Sequence, residues 1–298
     1  MAPWLHAILP PLAAAATGVQ VGAAMVATRV VIEEATPVSL AMLRYAIGFL
    51  CLLPAVALTG QVKIARRDLV PVALLGIGQF GILVVLLNYG LKFIPSARAA
   101  LIFAVFPLLT LLLSVALRQE RMTLAKTLGV LLTLAGVGVA LGERLDTARP
   151  GQFWIGDAAV FASALTGALC SILYRPYLKK YPALPVSACA MLASVIFLAL
   201  VSATEGFFLA IPQFTVAGWL AIAFIGASSG IGYFLWLWAL AHTTPTRVTI
   251  FLSLSPLTAA GLGAMLLGEP VTINIVAGSL CVAAGLWFAN ASGTKRHN

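Results

Sequence analysis

Charge is what this sequence has least of. Asp, Glu, Lys and Arg make up 9% of its 298 residues, and hydrophobic side chains make up 61%, whereas a soluble domain carries about 25% charge. So little charge cannot cover a water-soluble core of this size, which excludes a soluble globule and leaves a bilayer as the solvent. Cysteine is nearly as scarce. Cys51, Cys170, Cys189 and Cys281 lie inside apolar runs without CxxC spacing, so neither a disulfide framework nor a metal site is indicated. The three histidines, His6, His242 and His297, are scattered, HExxH is absent, and no GxxxxGK[ST] loop is present to cradle nucleotide phosphates. Metalloenzyme chemistry and ATP-driven pumping are disfavoured, and no cofactor is expected. Nor does any acid fall in the middle of an apolar run. Glu120, Asp157 and Glu269 stand at run ends, which leaves a buried proton relay without a candidate.

What the sequence has in abundance is apolar length. Ten runs, approximately 5–28, 38–58, 69–92, 96–117, 123–142, 154–174, 185–204, 216–240, 246–267 and 272–291, are each long enough for one bilayer crossing. The chain is thus expected to be an all-α integral membrane protein with ten transmembrane helices. No Lys or Arg precedes the first run, so it reads as a span and not a signal peptide. The net charge of +9 would suggest nucleic acid in a soluble protein. Here the basic residues sit in the connections, so no nucleic-acid partner is expected. Twelve of them, including Lys63, Arg121, Lys180, Lys295 and Arg296, fall on the side of the termini. Only Arg29, Lys92, Arg98, Arg144 and Arg149 fall opposite, with Arg44 left inside span 2. By the positive-inside rule both termini are cytoplasmic.

The chain also repeats itself at an offset of 149 residues, half its length. Arg98, Pro107, Glu120, Thr123, Gly129 and Gly136 map onto Arg247, Pro256, Glu269, Thr272, Gly278 and Gly285; Thr17-Gly18 maps onto Thr166-Gly167, and Gly81-Ile82 onto Gly230-Ile231. Aliphatic matches arise by chance in such a composition, but rare Arg, Pro and Glu in register do not. Residues 1–149 and 150–298 are read as two five-span repeats. An odd number of spans turns the second copy upside down, and inverted repeats can exchange conformations to open alternately to either side.

These features resemble the drug/metabolite transporter superfamily, in the branch with two EamA-type repeats. The resemblance covers essentially the whole chain. It is carried by Leu43-Arg44-Tyr45 in span 2, by Pro107 and the Leu-rich stretch to Glu120, and by Pro256 through Leu266-Leu267-Gly268-Glu269-Pro270 to Gly278 and Gly285. The length and the aromatic-rich span 8 are similar to the YddG-type amino-acid exporters. The resemblance implies a ten-helix exporter of small metabolites in the bacterial cytoplasmic membrane, with a central cavity formed mainly by spans 1, 3, 4, 6, 8 and 9. One departure from symmetry is Ala193, which stands where the first repeat has Arg44.

Several residues could carry function. Arg44, a costly charge at bilayer depth, would anchor a substrate carboxylate, or else pair with Glu33 or Glu34 or reach the outer interface. Thr17 and Gln20 in span 1, Gln79, Asn88 and Tyr89 in span 3, Ser163 and Thr166 in span 6, and Ser228, Tyr233 and Trp236 in span 8 suit a cavity for small amphiphiles. The alternative for them is interhelical hydrogen bonding and packing against lipid. Pro107 and Pro256, near the middles of spans 4 and 9, crowd the carbonyls of Phe103 and Leu252; they are static kinks, or else hinges or places where a freed carbonyl lines a cavity. The glycine stripes of spans 5 and 10 read as close helix packing.

The function expected is export of small organic metabolites, foremost amino acids including aromatic ones, by alternating access. The partners are a small-molecule substrate and the lipid bilayer, with the chain a monomer or weak homodimer. A nucleotide-sugar transporter would want several basic groups in the cavity, and a cationic-drug transporter an accessible acid. A channel or an intramembrane lipid enzyme is the alternative from another class.

Overall fold

The structure, a computed structural model, describes residues 3–58, 64–119, 122–141, 153–210 and 212–291. Lys63, Glu120, Arg121, Arg144, Arg149, Lys295, Arg296, His297 and the 149/150 boundary lie outside them. Among the described residues all regular structure is helical: α1 (Pro3–Val31), α2 (Pro37–Leu58), α3 (Arg66–Gly76), α4 (Leu83–Leu91), α5 (Ser96–Phe103), α6 (Phe106–Ala116), α7 (Leu124–Leu141), α8 (Phe153–Lys180), α9 (Ala183–Thr204), α10 (Val216–His242), α11 (Pro245–Ile250), α12 (Leu254–Leu267) and α13 (Ile273–Ala291). Eight segments among the described residues are long and apolar enough to cross a membrane, and α7 and α13 contribute two shorter apolar stretches.

Three of the expected spans are not single α-helices. In span 3 a π-helical segment, Ile77–Ile82, joins α3 to α4. Span 4 breaks between α5 and α6, and span 9 passes through a 3-10 turn, Phe251–Ser253, between α11 and α12. Proline is the cause in the last two. Pro107 and Pro256 have no N–H to give the carbonyls of Phe103 and Leu252, and each ring crowds the carbonyl four residues back. The chain responds by tightening: the Val105 N–H bonds Ile102 O at 3.0 Å. In the second half the hydroxyl of Ser255 occupies the freed Leu252 carbonyl at 2.6 Å. Span 6 is longer than expected, because α8 continues through Pro176 to Lys180. There Lys180 and Tyr181 both donate to Asp68 at the start of α3, the tyrosine at 2.6 Å.

Small residues set the helix spacing. A methyl group on Gly136 of α7 would stand 2.6 Å from Gly278 O of α13, and one on Gly285 of α13 would stand 2.6 Å from Gly129 O of α7. The two contacts are reciprocal under the 149-residue offset. So is a second pair: Gly81 lies against Phe197, and Gly230 against Gly48. Gly268 ends α12 with a left-handed φ of 62°, a turn that a side chain would strain. The turn returns the Glu269 N–H to Gly263 O at 3.1 Å and brings the Glu269 side chain to the start of α5.

Candidate substrate cavity

Side chains from α1, α2, the π segment, α4, α5, α6, α10 and the 3-10 turn surround a central cavity of about 580 Å³, its open mouth included. On α1 the lining residues Thr17, Val21, Met25 and Thr28 follow one another at helical spacing, with Gln20 beside them. On α4 the lining face is Leu83, Val84 and Leu87. The break in span 4 presents Phe103 and Phe106, and the 3-10 turn presents Leu252. Both prolines therefore bend the chain beside the cavity wall.

Six of the residues expected at the site meet there: Thr17, Gln20, Arg44, Gln79, Tyr233 and Trp236. Thr17 is satisfied by Ala13 O at 2.9 Å and lies 3.3 Å from Gly232 O. Gln20 Nε2 donates to Ser228 Oγ at 3.2 Å, so Ser228 orients Gln20 from behind and is not itself in the wall. Tyr233 donates to the Gln79 main-chain oxygen at 3.4 Å, and its ring meets Phe80 at 4.1 Å between centroids. Trp236 stands edge-on to Phe106 at 5.9 Å. Two polar atoms on lining side chains, Gln79 Oε1 and Trp236 Nε1, have no hydrogen-bond partner.

Among the described residues Arg44 is the one cation in the wall, and it is only 6% exposed. Its Nε donates to Ser229 Oγ at 2.7 Å, and its guanidinium lies 5.5 Å from the centre of the Tyr45 ring. Among the described residues no carboxylate pairs with it. The alternative pairing with Glu33 or Glu34 is not realised, for Glu34 instead accepts the main-chain N–H and the hydroxyl of Thr215 at 2.9 and 2.7 Å.

Four expected site residues lie elsewhere. Asn88 donates to Pro37 O at 3.1 Å and fastens α4 to the start of α2. Tyr89 is 42% exposed, with its ring against Phe93. Each residue of a helix turns about 100° from the last, so the positions after Leu87 leave the cavity face. Ser163 gives its hydroxyl to Leu83 O at 2.8 Å, joining α8 to α4, and Thr166 bonds Ala162 O within its own helix. Span 6 therefore buttresses the wall without forming it. Phe103 and Leu252, whose carbonyls the two prolines free, are in the lining, whereas the lining residues missed in the sequence are mostly apolar: Met25, Leu83, Val84, Leu87 and Phe106. Only the i, i+4 spacing on α1 and the nearness of Phe106 to Pro107 hinted at any of them.

Beside the cavity wall at Thr28, polar groups tie the two halves together. Arg29 donates to Leu91 O and lies 3.9 Å from Glu269, and Glu269 also accepts the main-chain N–H and hydroxyl of Ser96. Arg98 grips Asp157 through two hydrogen bonds at 2.9 and 2.8 Å, and Thr36 donates to Glu205 at 2.5 Å. Asp68 with Lys180 and Tyr181 joins other connections.

A family model described as the EamA-like transporter family matches residues 9–142 and, a second time, residues 154–291. The chain belongs to the EamA-like transporter family. This EamA-like transporter is thus a multi-pass membrane protein of the drug/metabolite transporter superfamily, built of two EamA repeats. An uncharacterised transporter of Archaeoglobus fulgidus is 29% identical to it over 273 residues, 90% of this chain and 93% of the relative. A "Probable terminal-alkyne amino-acid exporter" of Streptantibioticus cattleyicolor is 28% identical, covering 86% of this chain and 85% of its own length. A "Probable amino-acid metabolite efflux pump" of Salmonella typhimurium is 24% identical over 90% of both. A crystal structure 22% identical to this EamA-like transporter superposes with a TM-score of 0.72 over 96% of this chain and 98% of that one, a likeness of fold.

Proposed function

We propose that this transporter exports amino acids, aromatic ones among them, by alternating access across the bacterial cytoplasmic membrane, with both termini in the cytoplasm. The observation that carries the reading is chemical. One guanidinium without a carboxylate partner among the described residues, and two unpartnered polar atoms, sit on side chains of a cavity whose wall is otherwise mainly aliphatic and aromatic, with Thr17, Gln20 and Thr28 among them. Arg44 holds the carboxylate, Gln20 and Gln79 hold polar substituents, and Tyr233 and Trp236 receive the apolar part. The two relatives named as amino-acid exporters support the same class. A nucleotide sugar would want more than one cation in the wall, and a cationic drug would want an acid. Among the described residues the wall has one cation and no acid.

In this reading the chain crosses the membrane ten times, with α7 and α13 completing the eight longer spans. The repeats 1–149 and 150–298 are related by inversion. The reciprocal contacts of Gly136 with Gly278 and of Gly285 with Gly129 are what a two-fold axis between the halves would produce. Pro107 and Pro256 act as hinges at the wall. The working unit is a monomer or weak homodimer. A proteoliposome screen with labelled amino acids, sugars and quaternary amines tests the reading. Saturable uptake of phenylalanine or tryptophan is expected, with affinity weakened several-fold by Gln79→Ala or Trp236→Ala in protein that still reaches the membrane. Uptake of sugars or quaternary amines alone would refute it.

A further inference from the structure

We infer that the cavity is built for organic acids of net charge −1, so that an aromatic carboxylate without a free ammonium group is a better substrate than the matching amino acid. The inference rests on the reading of this cavity as the substrate site. Its ground is the charge balance of the wall. Arg44 is 6% exposed, its Nε is held by Ser229, and the nearest aromatic group is Tyr45. Among the described residues no lining residue is acidic and no carboxylate pairs with Arg44. A buried cation without a counter-ion is costly, and an entering carboxylate removes that cost by supplying charge-assisted hydrogen bonds. A monoanion leaves the occupied cavity neutral. An amino acid zwitterion leaves it at +1, and its ammonium must exchange water for neutral acceptors such as Gln79 Oε1. An amine without a carboxylate places two cations in one cavity.

The same balance bears on what drives export. Among the described residues no lining side chain is an acid that could carry a coupled proton. A monoanion needs no coupled ion, because an inside-negative potential of ~100 mV by itself sustains a roughly fifty-fold outward gradient of a singly charged anion. A zwitterion receives no such drive.

Three probes with one aromatic body separate the charges: 3-phenylpropanoate at −1, phenylalanine at 0 and phenethylamine at +1. Binding of each to the full-length protein in lipid nanodiscs is measured near pH 7.5. Counterflow is measured in proteoliposomes against protein-free vesicles, with and without a potassium diffusion potential set by valinomycin. The acid should bind at least about tenfold more tightly than phenylalanine, and phenethylamine weakest of all. Protein-mediated flux of the acid should follow the imposed potential while that of phenylalanine does not. Arg44→Gln, checked for wild-type abundance and melting temperature, should bring the acid and the amino acid within about twofold. Phenylalanine binding as tightly as the acid or more tightly, measured on the unaltered protein, overturns the inference and leaves the amino-acid reading standing. Transport of the acid but of no amino acid upholds the inference and removes that reading. Failure of all three probes to bind or to exchange overturns both.

Discussion

Arg44 and Glu269 are the two charged residues whose surroundings say most about how the molecule works. Arg44 sits unpaired in the cavity wall, whereas Glu269 accepts from Ser96 twice and lies beside Arg29, joining three separate helices next to the lining residue Thr28. A carboxylate with this many donors loses much of its hold when made neutral, since hydrogen bonds to a charged acceptor contribute about 1.5–3 kcal/mol each. Glu269→Gln should therefore loosen that end of the bundle and raise the labelling rate of a cysteine placed at Thr28 by roughly tenfold. An unchanged labelling rate would mean that the cluster holds nothing closed. Residues like these are only half legible in a sequence. Thr17, Gln20 and Gln79 stand out because a polar group in an apolar run requires a partner or a cavity. Nothing but the direction of the side chain separates Gln79, which lines the cavity, from Asn88, which binds Pro37 O. Met25 and Leu87 were illegible because an apolar side chain looks the same facing a cavity as facing a neighbour.

Among the elements, spans 4 and 9 and the α7–α13 pair carry the clearest consequences. Replacing Pro107 with alanine restores a donor to the ladder of span 4 and should favour the state in which that helix is straight. The same change at Pro256 should favour the opposite state, because the two helices enter from opposite sides in the inverted arrangement. Cysteine accessibility from the two sides of the membrane reads the populations, and a shift in the same direction for both would make the prolines static kinks. The second half holds one difference. Ser255 satisfies the freed Leu252 carbonyl, and its counterpart in the first half is Phe106, so the two breaks are not equally easy to straighten. Where α7 meets α13, Gly136→Ala should cost about 1–3 kcal/mol, because the new methyl would stand 2.6 Å from Gly278 O. Gly138→Ala, with nothing among the described residues within 4 Å, should not lower the melting temperature. Apart from span 6, whose helix runs on past Arg175 to Lys180, span limits were legible to within a few residues because apolar runs end where charge begins. The π segment was not, for no local pattern announces it; Gly76 and Gly81 at its two ends pack against Ala190 and Phe197 of α9.

At the scale of the whole molecule, the 149-residue offset was the most informative feature of the sequence. Its matches in Arg, Pro and Gly foreshadowed both the paired breaks and the reciprocal glycine contacts. Two copies of one fold facing opposite ways have two nearly equivalent states, and a substrate that binds both can be handed across without a continuous pore. In the proposed mechanism, the polar contacts of Arg29, Thr36, Ser96 and Arg98 with the second half would hold one of those states together. The most direct test of this account is counterflow in proteoliposomes loaded with excess unlabelled phenylalanine. A carrier whose site faces one side at a time should take up external labelled phenylalanine faster, and to a transient overshoot, when loaded than when empty, with a rate that saturates. Uptake that rises linearly with concentration and ignores the internal substrate would be conduction through a pore, and would contradict alternating access.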